Sequence, residues 1–509
     1  MSFTEQLIPA LGIVFSLTGF LAMVAGVIAG IIIGVLPGFG GAQALALMFP
    51  FTLAMPVEAG ILLLVATYTA AEYGGSIPAI LIKTPGTTAA AITVLEGYPM
   101  AQSGRALRAL HISLYSGVFG GILSSFAFLV LASSLAWVGL QFGPGEMFAV
   151  GIFGLSVIAS FLGTDVVKGF IGVGIGLLLA MVGSSSFGGL RFTFGQASLL
   201  DGLPLVVVIM AFMAMPEVFA LMSAKKGEDE ELIDLRARAA QEHENRLRLR
   251  DLIRLIPAMT RGTIIGTAVG AIPGPGATVS TIIAYAEEKR RSRTPQRFGT
   301  GVEEGVASPE AANNAVVSGS LIPALALGIP GSGAIAILLA LLISKGIAPG
   351  PMLFQDGGPI IVAVFYGLIA ASLINLAIGI FGMRAFAMIA AVPRYVLAPF
   401  VLVLIMIGAF AYQAYIAHLV ILAVLGAFAV LLDRFSISPV PIVLAFVMGP
   451  IVEQNLSRAL SIHGGDLSFM LTRPICLAIL FLSVVTAVLA FRRRPSESSG
   501  QEAVRHETS

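Results

Sequence analysis

Residues 30–40, GIIIGVLPGFG, interrupt an apolar stretch with two glycines four residues apart and then with a Pro-Gly-x-Gly turn. The same pattern returns 236 residues later as residues 266–276, GTAVGAIPGPG. A second Pro-Gly pair follows each copy, Pro85-Gly86 and then Pro330-Gly331, and these two pairs lie 245 residues apart. The recurrence indicates a duplicated unit. Matching Pro and Gly interruptions in two apolar halves are typical of the binding site of a transporter.

The composition is that of a membrane protein. Hydrophobic residues make up 57% of the chain and charged residues 11%. Apolar runs of the roughly 20 residues needed to cross a bilayer recur from end to end, without the alternation of strands. We therefore predict an all-α polytopic membrane protein with about 10–12 transmembrane helices. The net charge of +1 favours no nucleic-acid partner. One cysteine, Cys476, excludes an intrachain disulfide.

The distribution of basic residues predicts the topology. Lysine and arginine cluster in segments that the positive-inside rule places in the cytoplasm, near residues 105–108, 225–254, 289–297, 384–394 and 492–494. The apolar segment 262–286 is basic on both flanks, which favours a re-entrant hairpin turning at Pro273–Gly276. Segment 26–52 has no basic flank, so we expect it to enter from the opposite face as an inverted repeat. The alternative is that each segment is a single kinked helix.

These patterns divide the chain into six regions. Each repeat contains a hairpin followed by a broken helix. The predicted regions are repeat 1 at 1–108 (hairpin 26–52, broken helix 57–100), four linking transmembrane helices within 109–222 (near 109–137, 145–163, 169–187 and 201–222), a cytoplasmic linker and amphipathic arm at 223–261, repeat 2 at 262–358 (hairpin 262–286, broken helix 302–345), C-terminal transmembrane helices at 359–494, and a disordered tail at 495–509.

Each broken helix is predicted to open twice, at residues 73–78 and 83–88 in the first repeat and at 318–323 and 328–333 in the second. An opened helix presents N–H groups that favour an anion and carbonyl groups that suit a sodium ion. The expected coupling ion is Na⁺ or H⁺. The candidate substrate-binding residues are Gly38, Gly40, Ser76, Lys83, Thr87, Gly274, Gly276, Asn313, Asn314 and Ser332. The candidate ligands of the coupling cation are Gly74, Gly75, Thr84, Gly319 and Ile329.

Structural roles compete with these functional ones. A lone G-x-x-x-G is usually a packing seam, although its recurrence with the Pro-Gly turns favours a site. The amides of Asn313-Asn314 suit a ligand or an interhelical hydrogen bond, and Tyr68-Thr69 occupy the same repeat position. Glu72 and Lys83 are ionisable groups in the first broken helix, where function is the default interpretation. They can instead pair with each other.

Six motifs resemble those of a known family, the large membrane subunit of the bacterial tripartite tricarboxylate transporters. They are GVLPGFGG, YGGSIPAIL, KTPGT, EGYPMAQSGRAL, ASPEAANNA and GIPGSGAIAILL, within residues 20–360. The resemblance implies a secondary transporter of the bacterial inner membrane, driven by sodium or protons. It also implies two protein partners, a periplasmic substrate-binding protein and a small four-helix membrane subunit. The implied cargo is a small organic anion, such as a tricarboxylate or an aromatic dicarboxylate.

Two departures from the family pattern leave the substrate open. Family members commonly carry Asn where this chain has Lys83, and an uncharged residue where it has Glu72. An alternative within transport is the related binding-protein-dependent carrier for C4-dicarboxylates, and a more distant alternative is an anion channel. No metalloprotease, P-loop or nucleophile-elbow motif occurs in the sequence, so we predict no enzyme activity, no metal site and no cofactor beyond the coupling ion. Membrane lipid is the remaining expected partner.

Overall fold

The structure is a computed structural model that describes residues 3–139, 142–161, 165–223, 247–350, 353, 359–389, 392 and 394–492. Eight of the described helices are long and apolar enough to cross a membrane, and shorter apolar helices accompany them. The prediction of an all-α polytopic membrane protein is therefore confirmed. Parts of the predicted linker, of the end of repeat 2 and of the C-terminal tail, at 224–246, 351–358 and 493–509, lie outside the described residues except for residue 353.

Twenty α-helices lie in the described part of the chain. In the first half they are α1 (Phe3–Val14), α2 (Leu17–Val35), α3 (Gly41–Leu53), α4 (Val57–Ile82), α5 (Ala91–Gln102), α6 (Ala106–Gly139), α7 (Pro144–Phe161), α8 (Val166–Ala180), α9 (Leu205–Met213) and α10 (Met215–Ser223). In the second half they are α11 (Leu249–Gly270), α12 (Gly276–Arg291), α13 (Glu303–Leu327), α14 (Gly333–Ser344), α15 (Ile360–Ile389), α16 (Arg394–Ala411), α17 (Ile416–Arg434), α18 (Pro439–Ile462), α19 (Phe469–Thr472) and α20 (Pro474–Arg492). Strands β1 (Gly183–Ser184) and β2 (Leu190–Arg191) pair antiparallel.

The chain forms two compact units, one of residues 1–141 and 204–430 and the other of residues 142–203 and 431–509. The first unit holds both predicted repeats. In the second, α7, α8, α18 and α20 pack together, and Glu453 accepts hydrogen bonds from Arg191 (2.7 Å) and Ser185 (2.8 Å). This β-hairpin replaces the last turns of the helix expected at 169–187, because α8 ends at Ala180.

The segment around 262–286 is a helical hairpin. Arg261 lies on α11 and Glu288 on α12, on opposite sides of the turn at residues 271–275, yet their side chains pair at 2.6 Å. In a single kinked helix these residues would be separated by more than about 30 Å at 1.5 Å per residue. The segment therefore folds back on itself and is not a single kinked helix. Its first arm begins at Leu249, 13 residues before the predicted start.

The first repeat contains the same hairpin, formed by α2 and α3. Helix α2 runs parallel to α4, since Gly26 approaches Leu63 and Gly34 approaches Ala71. Helix α3 runs antiparallel to α4, with Gly41 beside Tyr68 at its start and Thr52 beside Gly60 at its end. The chain therefore turns back between α2 and α3, through residues 36–40. This hairpin begins at Leu17 rather than at the predicted residue 26.

The G-x-x-x-G glycines form a packing seam in both repeats. A Cβ added at Gly30 would lie 2.4 Å from the Thr67 carbonyl oxygen, and one at Gly34 would lie 2.3 Å from that of Ala71. Gly266 meets the Ala312 carbonyl oxygen of α13 at 2.3 Å in the same way. Only glycine allows backbones this close. These glycines therefore position the site by helix packing and do not line it.

The long helices α4 and α13 open once each. Both run unbroken through the expected first openings at 73–78 and 318–323, so that part of the prediction is wrong. Both end where the second opening was predicted, with a left-handed residue, Lys83 (φ 58°) and Gly328 (φ 73°). A proline follows two residues later in each repeat and prevents the helix from continuing. The half-helices α5 and α14 then begin after breaks at 83–90 and 328–332.

Candidate functional site

The tip of each hairpin is locked to the break of its own repeat by the same hydrogen bond. Gly38 N–H donates to the Gly86 carbonyl at 3.1 Å, and Gly274 N–H donates to the Gly331 carbonyl at 3.3 Å. The two donors have positive φ angles of 88° and 113°, a conformation that glycine adopts without strain. The Pro-Gly-x-Gly turns therefore hold the breaks in place. The predicted site residues Gly38 and Gly274 act here through their backbone.

Each half-helix lies beside the hairpin arm of the other repeat. In the first such pair, α14 runs parallel to α3. Tyr68 contacts the start of α3 at Gly41, and its hydroxyl lies 3.5 Å from Ser332 Oγ at the start of α14. At the other end, Lys345 Nζ donates to the Leu53 carbonyl at 2.7 Å. The N-termini of α3 and α14 are therefore neighbours.

The second pair, α5 and α12, has the same arrangement. Thr88 Oγ1 and Thr278 Oγ1 lie 2.9 Å apart, and Thr281 Oγ1 donates to the Ala89 carbonyl at 3.2 Å. Farther along, the Tyr285 hydroxyl donates to Glu96 Oε1 at 2.8 Å. These contacts follow the two helices in the same direction, so their N-termini are also adjacent.

The two pairs run in opposite directions from the middle of α4. Helix α3 is antiparallel to α4, whereas α5 follows the direction of α4, with Thr87 beside Gly75 and Gly97 beside Ile80. Tyr68 marks the start of the first pair along α4 and Gly75 that of the second, a separation of two turns, or about 10 Å. The N-termini of α3, α5, α12 and α14 therefore all lie near the stretch of α4 between Tyr68 and Gly75, where the helix dipoles favour negative charge.

Helices α4 and α13 cross antiparallel at this level and place two carboxyl groups there. Asn313 Nδ2 donates to the Glu72 backbone carbonyl at 3.5 Å, and one turn away Ser76 Oγ donates to Glu310 Oε1 at 2.7 Å. Glu72 is 4% exposed and Glu310 is 1% exposed. Within the described part of the chain, neither carboxylate has an ion-pair partner. The two buried carboxyl groups therefore lack a basic neighbour.

Glu310 is held by hydroxyl groups from three helices. Ser76 of α4 and Thr93 of α5 donate to Oε1, and Ser113 of α6 donates to Oε2 at 2.9 Å. Sequence reasoning assigned Glu310 no role, although a carboxylate inside the ASPEAANNA motif was a signal that it could have used. Three donors stabilise an ionised carboxylate, so Glu310 joins α4, α5, α6 and α13 into one network.

Four of the nine buried side-chain atoms that have no hydrogen-bond partner among the described residues lie around this crossing. They are Glu72 Oε2, Tyr73 OH, Asn313 Oδ1 and Asn314 Nδ2. A buried polar atom without a partner costs about 1–3 kcal/mol, and native proteins contain few of them. Their concentration on the turns of α4 and α13 that meet at this crossing, with Asn314 turned toward α6, indicates a site for polar ligands.

The predicted substrate residues are distributed around the crossing, and they do not all face one ligand. Asn313 faces Glu72, whereas Asn314 faces α6, where a Cβ added at Gly117 would lie 2.6 Å from Nδ2. Ser332 caps α14 by accepting from Ile335 N–H at 3.3 Å. Among the remaining predicted residues, Ser76 donates to Glu310, and Thr87 accepts from Ala90 N–H at 3.2 Å. Gly40 is the N-cap residue of α3, and Gly276 is the first residue of α12.

The alternative that Lys83 neutralises Glu72 is not supported. No ion pair of Lys83 is found among the described residues, and its backbone forms the left-handed end of α4. The equivalent residue of the second repeat is Gly328, which adopts the same conformation. Asn, common here in the family that the motifs resemble, also tolerates this conformation. The backbone therefore explains the preference at this position without a ligand.

The predicted cation ligands need correction where they depended on an opened helix. Gly74, Gly75 and Gly319 lie inside continuous helices, and the Gly75 carbonyl accepts from Gly86 N–H at 3.0 Å. Thr84 Oγ1 donates to the Ile82 carbonyl at 3.3 Å, and Ile329 N–H donates to that of Pro323 at 3.4 Å. The Gly75 carbonyl is therefore occupied, whereas Pro78 and Pro323 have no N–H to donate to the Gly74 and Gly319 carbonyls four residues earlier, so these two assignments stay predictions. Unpartnered acceptor oxygens also occur on Glu72 and Asn313.

Comparison with known proteins agrees with this architecture. The model of the tripartite tricarboxylate transporter TctA family matches residues 20–444. A protein of Agrobacterium vitis described as an uncharacterized 52.8 kDa protein in the TAR-I ttuC' 3' region is 34% identical over 470 residues, covering 91% of each chain. A second A. vitis protein, described as an uncharacterized protein in the TAR-II ttuC' 3' region, is 34% identical over 229 residues, covering 44% of this chain and 93% of its own. No solved structure matches the chain. The family match spans both hairpins, both breaks and the crossing of α4 and α13, and the chain belongs to the tripartite tricarboxylate transporter TctA family.

Proposed function

We propose that this chain is the large membrane subunit of a cation-coupled secondary transporter that imports a small organic carboxylate across the bacterial inner membrane. A periplasmic binding protein delivers the substrate, and a small four-helix membrane subunit completes the complex. The substrate binds where the N-termini of α3, α5, α12 and α14 converge. That convergence is the observation that carries the proposal, because helix N-termini and capping hydroxyl groups are complementary to carboxylates.

The side chains at this level suit a carboxylate substrate. Ser332 and Thr88 lie at the starts of two half-helices, and each contacts the other repeat, through Tyr68 and Thr278 respectively. On the α6 side of α13, Asn314 adds a buried amide N–H₂ that has no partner in the described part of the chain. Ser332 and Thr88 are hydrogen-bond donors from different repeats. A ligand that contacts both would therefore contact both halves of the molecule.

The helix directions support alternating access by inverted repeats. The equivalent helices α4 and α13 cross antiparallel, and the pairs α3–α14 and α5–α12 run in opposite directions from the crossing. This is the relation expected of two halves related by an axis in the membrane plane. Each half-helix contacts a hairpin arm of the other repeat, so movement of one repeat would expose the site to one face and close it to the other.

Transport is tested by reconstituting the full-length chain with the small membrane subunit in proteoliposomes and adding the purified binding protein outside. The probes are ¹⁴C-labelled citrate, succinate and terephthalate, supplied under an inward gradient of Na⁺ or of protons. We expect saturable uptake of citrate or terephthalate that requires both the binding protein and a cation gradient. A radiolabelled neutral sugar is the matched control and should not accumulate.

Three outcomes would contradict the proposal. Anion current that grows with voltage and needs no binding protein would identify a channel. Uptake of succinate alone would favour the C4-dicarboxylate alternative. Absence of uptake of every probe, in vesicles where the complex is intact and the binding protein binds that probe, would refute the proposed transport activity.

A further inference from the structure

The structure holds an unexplained pair of acceptor atoms between the two repeats. Glu72 Oε2 on α4 and Asn313 Oδ1 on α13 are both buried and have no hydrogen-bond partner among the described residues. Glu72 is 4% exposed and Asn313 is 1% exposed. The two residues are in contact at the helix crossing, and the two unpartnered acceptor atoms that they bring there are complemented by a positive group, since neither can donate to the other when the carboxylate is ionised.

The orientation of the Asn313 amide follows from its neighbour. Its Nδ2 lies 3.5 Å from the Glu72 backbone carbonyl, which can only accept a hydrogen bond. The nitrogen must therefore face that carbonyl, and Oδ1 is the end left without a partner. The same residue pair thus contributes one weak hydrogen bond and two unused oxygen atoms.

The groups that the structure describes around Glu72 supply no positive charge. The first residue of α3 lies against the carboxyl group, with a Cβ at Gly41 placed 2.7 Å from Oε1, and the N-terminus of a helix tolerates negative charge there. The facing titratable groups are Tyr68 on α4 and Glu310 on α13, and both are acidic. No described lysine, arginine or histidine forms an ion pair with Glu72.

The two buried carboxyl groups differ in how they are satisfied. Three hydroxyl donors surround Glu310, whereas Glu72 Oε2 has none. Burying a second negative charge beside the first is costly unless it is compensated. Both oxygen atoms of Glu310 therefore already have polar partners. Glu72 is the carboxyl group that requires a small cation.

We infer that Glu72 and Asn313 form the binding site for the coupling cation, Na⁺ or a proton, at the contact between the two repeats. The inference rests on the proposed function and gives it a coupling element. Glu72 belongs to the first repeat and Asn313 to the second, so the cation joins the halves whose relative movement would carry the substrate. Tyr68 links this position to Ser332 at the start of α14, next to the convergence proposed for the carboxylate.

Cation binding is measured on the purified full-length chain without any substrate. Thermal unfolding is followed while NaCl replaces choline chloride at constant ionic strength, and a ligand that binds only the folded state raises the midpoint saturably. Protonated carboxyl groups are followed in parallel by their infrared C=O band as pH is varied. The variants are Glu72→Gln, Asn313→Ala and the matched control Glu58→Gln, which removes a half-buried carboxylate from the first turn of the same helix.

If the cation is Na⁺, we expect NaCl to stabilise the wild type and Glu58→Gln saturably, and to have no such effect on Glu72→Gln. Asn313→Ala should bind Na⁺ with about tenfold weaker apparent affinity, because it loses one of the two protein ligands of a charged ion. For a proton, the wild type and Glu58→Gln share a pH-dependent carboxyl band that Glu72→Gln lacks, and Asn313→Ala shifts its midpoint. The inference is overturned if Glu72→Gln is correctly folded and keeps both the wild-type Na⁺ response and the wild-type band, or if Glu58→Gln loses the response equally.

The outcome is separable from that of the proposed function. If reconstituted vesicles transport none of the carboxylate probes while Glu72→Gln still abolishes cation binding, the cation site stands and the transport proposal fails. If transport is observed and Glu72→Gln retains the same dependence on the cation gradient, the transport proposal stands and the cation site is wrong.

Discussion

Replacing Gly86 by alanine should disrupt the hydrogen bonds that hold the tip of the first hairpin against residues 83–90. A Cβ at this position would lie 2.1 Å from the Gly34 carbonyl oxygen and 2.7 Å from Gly75 Cα, and both neighbours are backbone atoms. Restoring an ordinary C···O separation of roughly 3.3 Å requires a shift of about 1 Å. That shift breaks the hydrogen bonds from Gly38 N–H (3.1 Å) and to the Gly75 carbonyl (3.0 Å).

The expected loss follows from these contacts. Overpacking costs about 1–3 kcal/mol, and two buried hydrogen bonds left unmade add roughly 2–3 kcal/mol, for a total of about 3–6 kcal/mol. At roughly 2 °C per kcal/mol for a large domain, the melting temperature should fall by about 6–12 °C. Fluorescence-detected size-exclusion chromatography of heated, detergent-solubilised protein measures this change.

The second repeat supplies the matched control. Gly331 is equivalent to Gly86, yet a Cβ there meets only Ser320 Cβ at 3.1 Å and the Gly270 carbonyl oxygen at 3.4 Å. Gly331→Ala should therefore cost less than about 1 kcal/mol and leave the melting temperature within about 2 °C of wild type. Equal losses in the two variants, or a stable Gly86→Ala protein, would refute the reasoning.

Four further predictions test other parts of the structure. Glu310→Gln should retain most of the stability because the amide oxygen still accepts hydrogen bonds from two hydroxyl groups. Glu310→Ala should lower the abundance of the protein, because it leaves three buried hydroxyl groups unpaired at a cost of about 1–3 kcal/mol each. Immunoblots of membranes measure the abundance of both variants. Asn314→Ala should abolish carboxylate uptake without lowering membrane abundance, and normal uptake would exclude this amide from the site. Lys83→Gly should raise the melting temperature by the few degrees that correspond to about 1 kcal/mol, because it relieves the left-handed conformation (φ 58°), and no gain would show that the lysine side chain compensates. Cysteines introduced at Pro56 and Arg290 should react with impermeant maleimide from opposite faces of the membrane, and labelling from one face would contradict the inverted arrangement.

The features that sequence predicted correctly are those fixed by local covalent geometry. Proline at residues 85 and 330 stops a helix wherever it occurs, and the glycines of the two turns allow positive φ angles. Both repeats carry these residues at matching positions, and both form the equivalent hydrogen bond, from Gly38 and from Gly274.

The features that sequence missed depend on which segments become neighbours. Gly74 and Pro78 suggested an opening, but Gly74 instead packs against Gly34 of α2, with Cα 3.2 Å from its built Cβ, and the packed helix continues through both residues. The role of Glu310 is also non-local, because its three hydroxyl partners come from α4, α5 and α6. The separation of Asn313 and Asn314 onto different helix contacts follows from the roughly 100° between successive helical residues.

Short helices are exchanged between the repeats. Helix α5 runs beside α12, and α14 runs beside α3, so a polypeptide ending after the first repeat would have no arm for its own half-helix. In the intact chain that arm comes from the second repeat, so the two repeats pack as an interdependent pair.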